Sequence, residues 1–353
     1  MSPLSEKWKV RMKDLKVKVK DSAEDIGFIA KRDPWLILTD HYGKEFAEYR
    51  RKWRLASDFK LELEYPLQID FELNNTCNLK CIGCAWSKKG PHRHQFMPFD
   101  TFKRLVAEGV KEGLRAIDFS FVNEPLIRKD LSEFIRFAKD AGVLDLAFNT
   151  NANLLTDVMI EDLLDSGLTR IQFSVDAFTG DTYKKVRPGG DFKKVINGIE
   201  KFLKRKEERK VAGLLTAVSF LKMSVNAFEL KSFIAYWERK VDYLIIREYL
   251  SPYGRESEHF EEKSKLFEKE RHFAKDFKCN KPWQRLIVRA DGTVLPCCAF
   301  FAVKLPMGNI HDSSISDIWK SVPMRRLRSI HKSGEFYNNK VCLECARCST
   351  WDN

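Results

Sequence analysis

Three features of the sequence predict an α/β protein, with an open parallel sheet of six strand–helix units and a small cysteine-rich module after it. Between about residues 67 and 250, segments with apolar residues at helical spacing alternate with short runs rich in Ile, Leu, Val and Phe that read as strands. The cysteines fall in two groups, at 77–84 and 279–348, with none in the 194 residues from Ala85 to Lys278. Hydrophobic residues make up 44% of the 353-residue chain and charged residues 32%, which fits a globular protein and excludes a disordered or fibrous one.

The chain divides into four stretches. Residues 1–58 form a charged extension with scattered aromatics and one helical run, KEFAEYRRKWRLA. Residues 59–250 carry the barrel. They open with FKLELEY and LQIDFEL, both alternating as strands do, and the second leads into the loop CNLKCIGC. Helix FDTFKRLVAEGVKEG then precedes strand AIDFSFV, LSEFIRFAKDAG precedes LDLAFNT, and TDVMIEDLLDSG precedes RIQFSVDA. DFKKVINGIEKFLKRKEE precedes GLLTAVSFL, and FELKSFIAYWERK precedes VDYLIIREYL. Such alternation implies right-handed crossovers and a parallel sheet. Counting LQIDFEL as the first, six strands are readable, short of the eight of a closed barrel. Chemistry in these sheets sits at the C-terminal ends of the strands, which is where the cysteine loop lies.

Residues 251–278 are polar and read as a linker containing a helix. Residues 279–353 form the cysteine-rich module. There LIVRADGTVLPCC gives two short strands around Asp291-Gly292, ISDIWK and the segment after it read as helical, and CLECARC lies near the end.

The net charge is +12, with seven Lys/Arg against two acids in residues 1–20. A solvated lysine-rich surface accounts for this, and no zinc-finger or single-strand-binding signature points to nucleic acid. No run approaches the ~18 apolar residues of a membrane span, and the basic N-terminus lacks the apolar core of a secretory signal. The expected location is therefore the cytoplasm, where nine cysteines bind metal or do chemistry rather than form disulfides.

In CNLKCIGC, Cys77, Cys81 and Cys84 are separated by three and two residues. Three thiolates are one short of a closed zinc site, whereas a 4Fe–4S cluster held by three leaves one iron open. A strand, then CxxxCxxC, then a helix resembles the radical S-adenosylmethionine (SAM) superfamily, whose members use this spacing on a partial (β/α)6 TIM-like barrel. The resemblance implies that Cys77, Cys81 and Cys84 hold a 4Fe–4S cluster whose open iron chelates SAM. Reductive cleavage of SAM then yields a 5′-deoxyadenosyl radical that abstracts a substrate hydrogen. FVNEPL resembles the family's GGEP segment and assigns Asn123, Glu124 and Pro125 to SAM, with Glu124 at its ammonium. FSVDA resembles the SxDG segment and places Ser174 and Asp176 near the SAM carboxylate and ribose. Arg187, in VRPGGDF, is similar to an arginine aimed at that carboxylate, and NTNANLL resembles a TNG segment with Ala152 in place of glycine. One departure is Gly83, where the family often carries an aromatic that touches adenine. Trp86 is a substitute candidate.

The C-terminal cysteines resemble the SPASM and shorter twitch modules of the same superfamily, which bind auxiliary 4Fe–4S clusters. One auxiliary cluster on Cys279, Cys297, Cys342 and Cys345 fits this spacing, leaving Cys298 and Cys348 spare. Read from residues alone, a four-cysteine zinc site stays open. The spacing is similar to that of a twitch-type member that oxidises a secondary alcohol. Trp283 reads as packing and Arg285 as solvent-exposed. The resemblance thus implies a two-electron oxidation of a small hydroxylated, sugar- or cyclitol-like substrate. The auxiliary cluster would accept an electron, and an external flavodoxin or ferredoxin would supply the reducing electron. A SPASM-type maturase acting on a peptide or protein is the alternative, although residues 1–58 do not read as the peptide-binding winged helix many maturases carry. A zinc-stabilised basic binding protein without catalysis is the third reading.

Overall fold

The computed structural model describes residues 27–84, 94–249 and 279–348. The expected linker helix at 251–278 and Trp86 lie outside the described residues.

The expected α/β architecture is present. Six parallel strands follow one another in space as they do in sequence: β2 (Gln68–Phe71), β3 (Ala116–Asp118), β4 (Asp145–Thr150), β5 (Arg170–Ser174), β6 (Leu215–Lys222) and β7 (Tyr243–Glu248). Helices fill the crossovers: α3 (Phe99–Glu112), α4 (Leu131–Asp140), α5 (Asp157–Leu164), α6 (Gly180–Val186), α7 (Phe192–Glu208) and α8 (Leu230–Trp237). Thr156, Thr179 and Asp191 accept backbone N–H groups at the starts of α5, α6 and α7, satisfying donors that a helix end leaves without partners. Sequence reading missed α6, a seven-residue helix.

Along each strand the side chains alternate. Ile69, Phe71, Ile117, Leu146, Phe148, Ile171, Phe173, Val218, Phe220, Leu244 and Ile246 belong to the core under the helices. Gln68, Asp70, Asp118, Asn149, Arg170, Gln172, Tyr243 and Arg247 line an interior cavity instead. The sheet therefore has an apolar outer face and a polar lumen, a period of two written in burial as well as polarity.

Both ends of the sheet go beyond the sequence reading. Strand β1 (Gly27–Ala30) pairs antiparallel with β7, and α1 (Pro34–Tyr42) and α2 (Lys44–Ser57) follow it. Leu38, Phe46, Tyr49 and Trp53 pack with Leu67, Ala116, Leu215 and Tyr243, at the N-terminal ends of the strands. These helices plug the bottom of the barrel. Gly213 shows how close the fit is: its φ is +77°, and a Cβ there would run into the His41 ring. At the other edge, β8 (Arg285–Val288) runs parallel to β2, then turns through β9 (Thr293–Leu295) to β10 (Gly308–Asn309). The expected hairpin around Asp291-Gly292 is there, with Gly292 at φ +84°. Helices α9 (Ile315–Trp319), α10 (Val322–Ser333) and α11 (Lys340–Cys348) complete the module.

FKLELEY is not a strand. The place beside β2 that it would need is taken by β8 and β3. Its backbone instead closes the end of α2, with Lys60 and Leu61 N–H donating to Leu55 O, and Leu63 O accepts the Trp319 indole N–H at 2.7 Å.

Asp145 ties the plug to the barrel. It is fully buried and accepts from Arg170 Nε (2.9 Å) and Nη2 (3.0 Å), Thr169 Oγ1 (2.8 Å) and Tyr49 Oη (3.2 Å). Burial alone would push its carboxyl up, but Arg170 and these donors hold it below the ordinary value. Asp145→Asn leaves Arg170 without its counter-charge in the interior. Urea denaturation at neutral pH is expected to show a loss of about 3–5 kcal/mol in unfolding free energy.

Candidate active site

The cysteine loop leaves the C-terminal end of β2 and is pinned on two sides. Asn74, fully buried, donates from Nδ2 to Thr76 O (3.1 Å), Thr76 Oγ1 (3.1 Å) and Glu124 O (3.3 Å). Glu124 N–H donates to Thr76 O at 2.8 Å. On the far side, Lys80 N–H reaches Pro188 O and Ile82 N–H reaches Val186 O, both at 3.1 Å. Cys77, Cys81 and Cys84 are thereby presented on one loop at the barrel mouth.

The residues matched to SAM contacts all lie around this loop, and most are already engaged. Glu124 is 2% exposed. Its Oε1 accepts from Thr150 Oγ1 (2.7 Å) and Leu126 N (3.0 Å), and its Oε2 from Asn151 N (2.8 Å). Burial pushes its carboxyl up against these donors. Asn123 Nδ2 donates to Asn74 Oδ1 and Phe119 O, each at 3.3 Å, while Pro125 is buried at the start of a short 3-10 turn. Asp176 sits at φ +61° and is buried, with Oδ1 accepting Leu221 N–H at 2.7 Å. Its Oδ2 accepts Arg187 Nε at 2.9 Å and Nη2 at 2.5 Å. Arg187 Nη1 continues to Cys81 Sγ at 3.7 Å. Asn151 Nδ2 likewise reaches Cys77 Sγ, at 3.9 Å, and Asn78 Oδ1, at 2.8 Å. Ser174, half-buried on the inner face of β5, accepts from Ser219 Oγ at 3.5 Å. Burial pushes the Cys81 thiol up, and the Arg187 guanidinium opposes it.

Gly83 has a neighbour that sequence reading missed. A Cβ on Gly83 would lie 3.1 Å from Leu221 Cδ2 and 3.3 Å from the Tyr249 ring, so the space an adjoining aromatic needs is filled from the ends of β6 and β7.

The second cysteine group assembles from three places. Cys279 precedes β8, Cys297 and Cys298 follow β9, and Cys342 and Cys345 stand three residues apart on α11, facing alike. Asn339 Oδ1 starts that helix by accepting Val341 N–H (3.0 Å) and Cys342 N–H (3.1 Å). Burial, with repulsion from Cys279, Cys298 and Cys345, raises the Cys297 thiol well above its ordinary value. Burial and Cys279 push Cys342 up to about 12. Half-buried thiols, two of which resist ionisation on their own, suit a metal centre, whose charge reverses that balance. None of the eight cysteines with described side chains is in a disulfide. Among the described residues no three His, Cys, Asp or Glu converge on a single-ion site, while a cluster spreads its thiolates over several irons.

Between the two groups lies a cavity of about 470 Å³. Gly83 lines it at one end and Cys298 at another, with Trp35, Arg50 and Trp53 of the plug forming part of the wall. Arg285 is a correction to the sequence reading. It lies in the wall of this cavity rather than in solvent, donating from Nη1 to Asp70 Oδ2 at 3.1 Å. Trp283 is buried as expected, edge-on to Phe59.

The model of the radical SAM superfamily matches residues 71–218, and that of the SPASM iron–sulfur cluster-binding domain matches residues 279–349. The probable GTP 3′,8-cyclase of Methanocaldococcus jannaschii is 34% identical over 158 residues, covering 45% of this chain and 50% of that protein. The GTP 3′,8-cyclase of Clostridium botulinum is 35% identical over 135 residues, covering 37% and 41%. The chain thus spans about half the length of the curated relatives it matches. In fold it is similar to Streptococcus suis SuiB bound to S-adenosylmethionine, with a TM-score of 0.59 at 16% identity over 81% of this chain and 72% of that one. It is also similar to anSMEcpe with bound AdoMet and Cp18Cys peptide, at 0.55 and 17% over 80% and 88%. Among the described residues no helix is long and apolar enough to cross a membrane.

Replacing Cys77, Cys81 and Cys84 together by Ala is expected to remove one cluster's worth of iron and sulfide from anaerobically purified protein. Replacing Cys342 and Cys345 by Ala is expected to remove the other share and leave the first. Iron and sulfide analysis checks both, and zinc in place of the second share would return that site to a structural metal.

Proposed function

We propose that this chain, which carries a radical SAM domain followed by a SPASM iron–sulfur domain, oxidises a small hydroxylated substrate in the barrel lumen. The observation that carries this reading is the single cavity touched by Gly83 of the first cysteine loop and by Cys298 beside the second cysteine set. A substrate in that cavity lies between both centres. Cys77, Cys81 and Cys84 would hold the SAM-binding cluster, and Cys279, Cys297, Cys342 and Cys345 the auxiliary one. Bound there, SAM and the clusters supply hydrogen-atom abstraction and one-electron acceptance, with reducing electrons from a flavodoxin- or ferredoxin-type donor.

The chain's own residues bind and orient. Asn123, Glu124 and Pro125 hold the turn beside the loop, Ser174 and Asp176 the floor of the SAM site, and Arg187 the Cys81 sulfur. Tyr249 offers an aromatic face beside Gly83, the role for which Trp86 was the sequence candidate. The cavity volume is in the range of small-molecule sites. The described N-terminal residues form a strand and two helices that plug the barrel bottom, a use that counts against a peptide-docking winged helix. The lumen's charge favours an anionic group on the substrate: Arg50, Arg170, Arg247, Lys281 and Arg285 line it against Asp70 and Asp118. Sugar phosphates and nucleotides meet that requirement, and the relatives named for a GTP reaction are in keeping with it.

The test offers anaerobic, reduced holoenzyme and SAM a panel of cyclitols, sugars, sugar phosphates and nucleotides deuterated at carbinol carbons. One compound is expected to raise 5′-deoxyadenosine formation, pass deuterium into it, and give a carbonyl product in equal amount. A ring-closed product with no net oxidation would replace oxidation with cyclisation, and turnover of peptides alone would favour the maturase.

A further inference from the structure

Oxidation of an alcohol to a carbonyl removes a hydrogen atom from carbon, a proton from oxygen and one electron. In the proposed reaction, bound SAM would supply the acceptor for the hydrogen atom and an oxidised iron–sulfur centre the acceptor for the electron. The O–H proton is left, and it needs a base from the chain. Resting on that reading, we infer that Asp118 is this base and contacts the substrate hydroxyl in the lumen.

Among the described residues, the carboxylates that line the cavity are those of Asp70 and Asp118. They are Cα partners on the adjacent parallel strands β2 and β3, both on the inner face, so their side chains stand next to each other. Their partners differ. Asp70 accepts from Arg285 Nη1 at 3.1 Å and from Gln68 Nε2 at 2.5 Å, and it is 1% exposed. Among the described residues Asp118 accepts Ser120 N–H alone, at 2.9 Å through Oδ1, and forms no ion pair. Asp118 is half-buried and lines the cavity. Beside it, Arg285 Nε is sealed in the wall and has no hydrogen-bond partner among the described residues.

The groups facing Asp118 set its protonation. Asp70 comes from β2, Arg285 from β8 and Arg170 from β5. Burial first, then the Asp70 charge, push the Asp118 carboxyl up to about 7 against the pull of Arg170 and Arg285. Burial raises the Asp70 carboxyl as well, against the pull of Arg285 and Gln68, so the two titrate as a pair in which Asp70 holds the cation and Asp118 faces the cavity. Other buried groups do not compete for this role. Glu72, pushed up to about 7, is sealed beneath Arg289 and Ala290 N–H and does not line the cavity. His331 is buried against Phe336 in the C-terminal module.

Infrared difference spectra of the holoenzyme across about pH 5 to 9 are expected to show carboxyls titrating near neutrality, Asp118 and Glu72 among them, far above an ordinary carboxylate. The Asp118 share should vanish in Asp118→Asn, leaving that of Glu72, and move down in Asp70→Asn, which frees Arg285 to face Asp118. With whichever panel compound the parent oxidises, Asp118→Asn should lose about 100-fold or more of carbonyl formation at unchanged iron content. Asp118→Glu should recover part of it, and the parent rate should rise with pH through about 7. A neutral-range titration left unchanged in amplitude by Asp118→Asn, or turnover of that variant close to the parent's, would overturn the assignment. If the parent oxidises nothing in the panel, the substrate reading fails, and the infrared titration still decides Asp118.

Discussion

Strand β2 has a parallel neighbour on each side, β3 and β8, and this double pairing determines where both cysteine groups stand. The first loop leaves the C-terminal end of β2. The second group cannot follow it there. β8 runs with β2, but β9 returns antiparallel, and Ile287 pairs with Leu295. Past that pair β9 ends and the chain runs on through Cys297, on the side of β8 where Arg285 pairs with Gln68 at the start of β2. The two cysteine groups therefore lie toward opposite ends of a short strand, on the order of 10 Å in length. An antiparallel β8 would have placed both groups at the mouth and left the lumen between them empty of purpose.

The lumen that results is polar, which is costly in an interior. Three inward-facing carboxylates are held against arginines: Asp145 by Arg170, Asp70 by Arg285 and Glu72 by Arg289. Buried pairs of this kind add little net stability, because desolvation offsets most of the attraction. Apolar residues would pack such a core at least as well. What an apolar core could not provide is a wall of fixed charge for a polar substrate, with its donors in place before the substrate arrives. Arg50 fits the same account: its guanidinium lies 3.5 Å above the Trp35 ring, so the plug meets the cavity with a stacked cation.

The strand–helix alternation and the CxxxCxxC loop were legible because each repeats a local signal: apolar period on one face, or sulfur at fixed spacing. The plug was not. GFIA is too short to show a period, and its partner β7 lies more than 200 residues away. FKLELEY misled in the opposite way, since its alternation serves burial of Leu63 and Tyr65 on an irregular segment with no free strand edge beside it. Asp118 and Arg285 carry no motif. Asp118 is one acid in a run that reads as an ordinary strand, and Arg285 meets Asp70 across 215 residues of chain. Only the register of three strands brings them together.

The motif residues that were legible act on the cysteines through one intermediary each. Glu124 holds Asn151 by its backbone N–H, and Asn151 donates to Cys77 Sγ. Asp176 holds Arg187, and Arg187 donates to Cys81 Sγ. In both relays a buried carboxylate fixes a donor, and the donor fixes a sulfur, as partners behind a metal ligand do. The two relays come from different strands, β3 and β5, and grip the loop from opposite sides. A loop with no regular secondary structure of its own thereby has its sulfur positions set by the sheet. Loss of either carboxylate would be felt first in how the loop presents its thiolates, before any change in contact with a small molecule.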